Sequence, residues 1–493
     1  MSFKINSLYL TDGYKIGHKA MLAPNTEFLY GTWIPRSVKH APKGCDKVVS
    51  FGQQLTWKWI NDEFNDNFFS QPIGVADKFI SDMSIYLGME YDGNHFKELH
   101  KLGYLPIKVK ALEEGIETDA NIPHMTFVNT VSGFAWLTLY LETIISSLAW
   151  KPSTSATYAL QYRRNTEKWV KSNDPERSFL IPWMCHDFSA RGLNPWDMIS
   201  SGLGHATSFM GSDTLPVIPA ARYFYNEKDV CIGSVNASEH SVSTTKIFTV
   251  GEKQMLSDWM KIFPTGILSV VSDTFDLWKL ITEYLPELKD EILARDGKIV
   301  IRPDSGDPVN IICGTMKSIN SEAEQILRQQ GKLSETKGVI ELLWDIFGGT
   351  VNKQGYKVLD SHIGAIYGDS ITLERQVEIY AKLAEKGFAA TNVVLGVGSF
   401  TYQFNTRDTF GFAAKGAWFK TSDGEYDIYK DPVTDDGTKK SYKGRVQVKG
   451  NLVKDQCSYE EEIDSDLQTI FEDGKFIKEI SLTEVRKKIN SII

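Results

Sequence analysis

Apolar residues along this chain follow two different rhythms. From about residue 180 to 400, short runs rich in Val, Ile and Leu end in a polar turn, and a helical pattern usually follows. The clearest are GILSVVSDTFDLWKLITEYL, GKIVIRPDSGDP, HIGAIYGDSITLERQVEIYAKLAEKG and NVVLGVGSF. Apolar runs without alternation read as parallel strands covered on both faces, and strand–turn–helix repetition reads as a parallel α/β sheet or barrel. Before about residue 125 the elements are short and aromatic, as in EFLYGTWIPRS and KVVSFGQQLTWKWINDEF. An apolar helix is expected near 133–150, and a second over about 154–172, starting at the cap-like Ser153/Thr154 after Pro152. After about 400 the chain turns polar. GEYDIYKDPV and KGRVQVKGNLV predict hairpin strands, and SLTEVRKKINSI a closing helix.

The pattern predicts an α/β fold: an irregular parallel (β/α) barrel-like domain over 151–400, and a mixed α+β part over 1–150 with which a β-rich 401–493 segment packs. The length of 493 residues leaves room for such a division and for a sizeable core.

Charge and cysteines narrow the class. With 63 acidic against 54 basic residues the net charge is -9, which argues against an electrostatic nucleic-acid binder. A local basic cluster does occur at Lys439, Lys440, Lys443 and Arg445. The five cysteines are scattered without a CxxC pair, so neither a disulfide framework nor a zinc site is expected, and a reducing, cytoplasmic setting is. The opening MSFKINSLYLTDGYK has no apolar signal core. The stretch 133–150 is interrupted by Thr138, Glu142, Thr143 and two serines, so it reads as a buried helix rather than a membrane span.

Ligand sites in parallel α/β folds lie at the carboxyl ends of the strands. Here those ends carry Ser269, Ser272 and Asp273; then Arg302, Asp304 and Ser305; then Gly368 and Asp369; then Gly396 and Gly398, with Arg407 and Asp408 beyond. Singly, each has a bland reading as a helix cap or turn former. Four successive strands ending this way point to one mouth. Its chemistry suits a sugar phosphate: Asp for hydroxyls or water-held Mg²⁺, Arg for phosphate, glycine turns for exposed N–H groups. GLGHAT and GVGSFT show only half of a dinucleotide-binding fingerprint, and no GxxxxGK[ST] or HExxH is present.

His240, in NASEHSVSTT, opens a helical pattern beside Glu239, which could orient its ring. A core histidine and a nucleophile or general base are both open readings. In HDFSARG, Phe188 next to Arg191 is either plain packing or an aromatic platform for a flat ring.

Taken together, TDGYKIGH (11–18), HDFSARG (186–192), GSDT (211–214), SEHS (238–241), SVVSDTFD (269–276), IRPDSGDP (301–308), YGDS (367–370), GVGS and TRD (396–399, 406–408) and the segment from YKDPV to KGR (429–445) resemble the nicotinamide phosphoribosyltransferase group of the type II phosphoribosyltransferases, in order and over nearly the whole chain. The resemblance implies transfer of the 5-phosphoribosyl group from phosphoribosyl pyrophosphate to nicotinamide, with Mg²⁺ and with ATP as a co-substrate that phosphorylates His240. It implies that Phe188 and, from the second subunit of a homodimer, Tyr14 sandwich the nicotinamide ring, with Asp213 accepting from the carboxamide and Arg191 and Asp12 lining the pocket. Arg302, Asp304, Asp273 and Ser269 would serve ribose, pyrophosphate and Mg²⁺, the metal being held through water by Asp273 and Asp304. Gly368, Asp369, Gly398 and Ser399 would cradle the 5′-phosphate and ribose. Arg36, Arg407, Lys415, Lys430 and Lys439 would contact phosphates.

One departure stands out. Many members have a longer glycine run where this chain has Ser399 and Phe400 after Gly398, and Phe400 does not readily take a positive φ. Three rivals remain at this level: a nicotinate phosphoribosyltransferase, which an aspartate at 213 disfavours by repelling the acid; a non-catalytic binder on the same scaffold; and a generic barrel isomerase or lyase for sugar phosphates.

Overall fold

The computed structural model describes residues 4–493 apart from Asp369, Asp436 and Thr438. They divide into two compact units, one comprising residues up to Thr157, Pro219–Asp229 and Asn405–Ile492, the other Tyr158–Ile218 and Val230–Phe404.

The first unit centres on a seven-stranded sheet in which every pairing is antiparallel. Its order is Gly424–Asp427, Ala413–Thr421, Thr26–Ile34, Met125–Asn129, Ile107–Ala111, Gln468–Glu472 and Lys475–Phe476. Early and late segments therefore interleave in one sheet. Aromatic and β-branched residues suit such half-buried surfaces. Trp33 stacks on Phe412 at 5.3 Å and Trp57 on Phe471 at 5.5 Å. The closing helix Leu482–Ser491 starts where the sequence predicted, with Ser481 and Glu484 capping each other's backbone N–H.

The second unit holds a six-stranded sheet, all parallel, in the order Cys185–Asp187, Val393–Val397, Ile363–Tyr367, Asp296–Arg302, Thr265–Val271, Asn236–Ala237. From Asn236 onward, successive strands are neighbours, and the last one meets the first. Parallel bridges Asp187↔Ser212 and Gly211↔Gly233 carry the curl past the Cys185–Asp187 edge, as an irregular barrel requires. Ile363–Tyr367 is buried throughout, which explains its unbroken apolar sequence. The expected α/β class is thus observed.

One element differs from expectation. Instead of separate helices either side of Pro152, a short helix Ala135–Tyr140 precedes one long helix, Glu142–Asn173, with Pro152 inside it. Proline usually breaks a helix by losing its N–H and crowding the preceding turn. Here its ring packs against Gly52, where an added Cβ would lie 2.3 Å from Pro152 Cγ. Tertiary packing overrides the local rule. Among the described residues no helix is long and apolar enough to cross a membrane, and all five cysteines are buried, none in a disulfide.

Candidate active site

Because the six strands run parallel, their carboxyl ends share one edge of the sheet. They deliver Phe188, Ser238 to His240, Ser272 to Thr274, Pro303 to Ser305, Gly368 and Gly398 to the same side. Hydrogen bonds stitch these ends together. The Arg302 guanidinium donates from Nη2 to the Ser238 carbonyl at 2.6 Å, and the Ser238 hydroxyl accepts from Val271 N–H at 2.9 Å. Asp273 Oδ2 accepts from the Asp304 N–H at 2.8 Å and the Ser305 hydroxyl at 2.6 Å. Asp273 is therefore not the helix cap it could have been; Asp276 caps the next helix instead.

Among the described residues, Asp273 Oδ1, Arg302 Nε and Ser269 Oγ are buried here without a hydrogen bond. Such groups are costly unless a ligand satisfies them. Gly368 leaves room for Asp304, since a Cβ would lie 2.5 Å from Asp304 Oδ1. Asp369 lies outside the described residues.

His240 opens the helix His240–Val250 as expected and is half-exposed. Its Nδ1 is 3.2 Å from the Thr274 hydroxyl, and its Nε2 is 3.7 Å from Asp273 Oδ1. The expected orienting role of Glu239 is not observed. Glu239 is the N-cap with extended backbone, and its carboxylate turns to Arg191, 3.3 Å away. Arg191 itself is almost fully exposed.

Phe188 is the platform. Its ring centroid is 4.5 Å from that of His186 and 6.0 Å from the Arg302 guanidinium carbon. Beneath it Gly396 is obligatory: a Cβ would meet Phe188 Cδ2 at 2.8 Å and the Tyr367 and Gly368 carbonyls at 2.7 and 2.9 Å. Asp213 Oδ1 accepts from the Ser234 hydroxyl and lies 3.0 Å from His186 Nε2. Burial acts to raise the Asp213 carboxyl, but the hydrogen bonds from His186 and Ser234 and the charges of His186 and Arg302 outweigh it and hold it below its usual value. The turn after Val397 is built without a positive φ: Gly398, at φ -134, caps the short helix Ser399–Tyr402, which absorbs Phe400.

The remaining expected residues belong to the other unit. Asp12 accepts from the Thr143 hydroxyl at 2.7 Å. Tyr14 is 66% exposed, its ring beside His18. Arg36 donates from Nε to the Gly411 carbonyl at 2.8 Å. Burial lowers its pKa, and neighbouring Arg407 adds to the lowering against Asp408 and Asp435. Burial likewise lowers Lys415; Glu142 opposes this, while Arg36, Lys430 and Lys15 reinforce it. Arg36, Arg407, Lys415 and Lys430 thus form one cationic cluster. Lys439 pairs locally, 4.0 Å from Asp435, and Lys440 is 3.0 Å from Asp431. Arg445 is structural, bonded to Glu462 at 2.6 Å and stacked 3.9 Å from the Trp418 ring.

Sequence reading assigned no role to His186, Ser234 or Thr274. For His186 a signal existed, because residues two apart on a strand share a face and Phe188 was already singled out. Among the described residues no three His, Cys, Asp or Glu side chains gather as a metal cluster.

A profile of the nicotinate phosphoribosyltransferase (NAPRTase) family matches residues 183–475. A nicotinamide phosphoribosyltransferase of Acinetobacter baylyi is 40% identical, covering 99% of this chain and 98% of its own. One from Xanthomonas campestris is 31% identical over the same shares. Among solved structures, human nicotinic acid phosphoribosyltransferase superposes with a TM-score of 0.55 at 14% identity, over 98% of this chain and 93% of that one, a likeness of fold.

Proposed function

Since the chain belongs to the nicotinate phosphoribosyltransferase family, we propose that it transfers the 5-phosphoribosyl group from phosphoribosyl pyrophosphate to nicotinamide, giving nicotinamide mononucleotide and pyrophosphate in NAD salvage. The observation that carries the choice of nicotinamide is Asp213, ionised beside the Phe188 platform. An ionised carboxylate attracts a carboxamide N–H and repels a carboxylate.

The pyridine nitrogen attacks C1 of the sugar as the bond to pyrophosphate breaks. Positive charge develops on the sugar ring, and the carboxylates of Asp273 and Asp304 stabilise it. Phe188 fixes the pyridine ring, and Tyr14 of a second copy would close the other face in a homodimer. Positioning of this kind supplies about 7–11 kcal/mol in favourable cases. Arg302 and Ser269 serve the ribose and pyrophosphate, and Gly368, Asp369, Gly398 and Ser399 the 5′-phosphate end. Arg36, Arg407, Lys415, Lys430 and Lys439 serve phosphate groups. The unsatisfied Oδ1 of Asp273, with Asp304 as a second carboxylate, would suit a hydrated Mg²⁺. Such an ion neutralises leaving-group charge when bound. His240 is the proposed phosphoryl acceptor from ATP, its Nδ1 meeting the Thr274 hydroxyl.

The test is a product assay with nicotinamide and nicotinate, each with phosphoribosyl pyrophosphate and Mg²⁺, with and without ATP. We expect nicotinamide mononucleotide and a kcat/KM preference for the amide of about tenfold or more, about 1.4 kcal/mol. Equal kcat/KM for acid and amide overturns the substrate choice. Absence of acid-labile phosphate on His240 after incubation with ATP removes the coupling step.

A further inference from the structure

Asp213 is held by one oxygen only. Both described donors, Ser234 and His186, converge on Oδ1, and Oδ2 accepts no hydrogen bond among the described residues. The last torsion of an aspartate is broad and two-fold, so an unrestrained carboxylate presents either oxygen at many angles. The two anchors differ in stiffness. Ser234 is exposed and lies outside any strand. His186 is buried on the Cys185–Asp187 strand, which pairs with Val393–Val397. Its ring leans on Phe188 at 36°, and its Nδ1 lies against Gly211, where a Cβ would come within 2.9 Å. Nε2 faces a carboxylate, so it is the nitrogen that carries the hydrogen.

We propose that His186 is a positioning residue for substrate choice: by pinning Oδ1 of Asp213 it aims Oδ2 at the N–H of an aromatic carboxamide and denies an aromatic carboxylate. The inference rests on the phosphoribosyl-transfer reading above. Its physical content is that discrimination needs a carboxylate that cannot swing away from an acid. Without His186, Asp213 turns aside, the acid meets less repulsion and the amide loses a fixed acceptor.

His186→Phe keeps ring size and the contact with Phe188 but deletes the N–H; His186→Gln restores an N–H at similar reach. In His186→Phe the nicotinamide-to-nicotinate ratio of kcat/KM should fall about tenfold, or about 1.4 kcal/mol. The change should appear as a raised KM for nicotinamide with kcat within about threefold, the pattern of lost ground-state binding. His186→Gln should recover the ratio to within about threefold of wild type. If the phenyl variant does not fold, His186→Leu takes its place. An unchanged ratio, a parallel loss for both substrates, or failure of Gln to rescue in a folded variant overturns the proposal. Should wild type form no mononucleotide from nicotinamide, the transfer reading fails by itself; equilibrium binding of nicotinamide and nicotinate to wild type and His186→Phe then decides the role of His186, by the same tenfold change in ratio.

Discussion

The strand ends of the parallel sheet and the cationic cluster of the antiparallel unit set opposite electrostatic conditions. At the strand ends two carboxylates, Asp273 and Asp213, each have one oxygen doubly engaged and the other without a hydrogen bond among the described residues: Asp273 uses Oδ2, and Asp213 uses Oδ1. In the antiparallel unit, burial first and then like charge lower Arg36 and Lys415, Arg407 acting on Arg36 and Arg36 and Lys430 on Lys415, against Asp408, Asp435 and Glu142. The first region is ordered and short of partners. The second gathers cations only in part matched by carboxylates. A polar group that serves only structure looks different from both: Asn129 accepts from Leu29 N–H and donates to the Glu27 and Val131 carbonyls, leaving nothing over.

The largest effect that tests this contrast is expected at Asp273. Asp273→Asn should lower kcat/KM about 100- to 1000-fold, roughly 3–4 kcal/mol, in steady-state assays. A fall below about tenfold in a folded variant would reduce Asp273 to a turn builder. Next comes Asp213→Asn, which should reduce kcat/KM for nicotinamide by about 10- to 100-fold, the worth of a hydrogen bond to a charged group, and leave nicotinate unchanged or improved. If both substrates fall together, the spare oxygen does not read the amide.

The sheet and its active edge were legible because parallel strands buried on both faces have to be apolar throughout, and that makes their polar ends conspicuous. Pairings between distant segments were not legible. Glu239 adjoins His240 in sequence, yet Thr274, beyond the end of another strand, meets the ring, because the extended backbone of a cap residue sends its side chain elsewhere. His186 and Asp213 are 27 positions apart, and nothing in either segment names the other. The Pro152 helix failed for the same reason, since Gly52 lies far away in sequence.

The cationic cluster offers a smaller test. Phosphate should raise the Tm of wild type, and Lys415→Met should lose about half of that shift. At 100 times the dissociation constant, binding stabilises by about 2.7 kcal/mol, and a tenfold weaker site would lose about half. Equal phosphate shifts in both proteins would show that Lys415 takes no part in binding phosphate.

The smallest expected effect concerns acid. Burial lowers the His124 imidazole to about 3. The unfolded chain binds a proton near 6.5 and the folded one does not, so this residue contributes stability at neutral pH that is lost as pH falls from about 6.5 towards 3. His124→Gln should therefore lose about 0.7 kcal/mol less than wild type between pH 7 and 6, read from thermal melts. Identical pH profiles would place the acid sensitivity elsewhere.

Gly396 has a consequence for redesign. With no side chain there, Phe188 rests directly on the backbone of the neighbouring strand, and the hydrogen atom of that glycine sets the height of the platform. Clearance for a thicker or more heavily substituted ring cannot be gained by lowering this floor, and Gly396→Ala would raise it. Any broadening of the range of accepted heterocycles has to come from the walls.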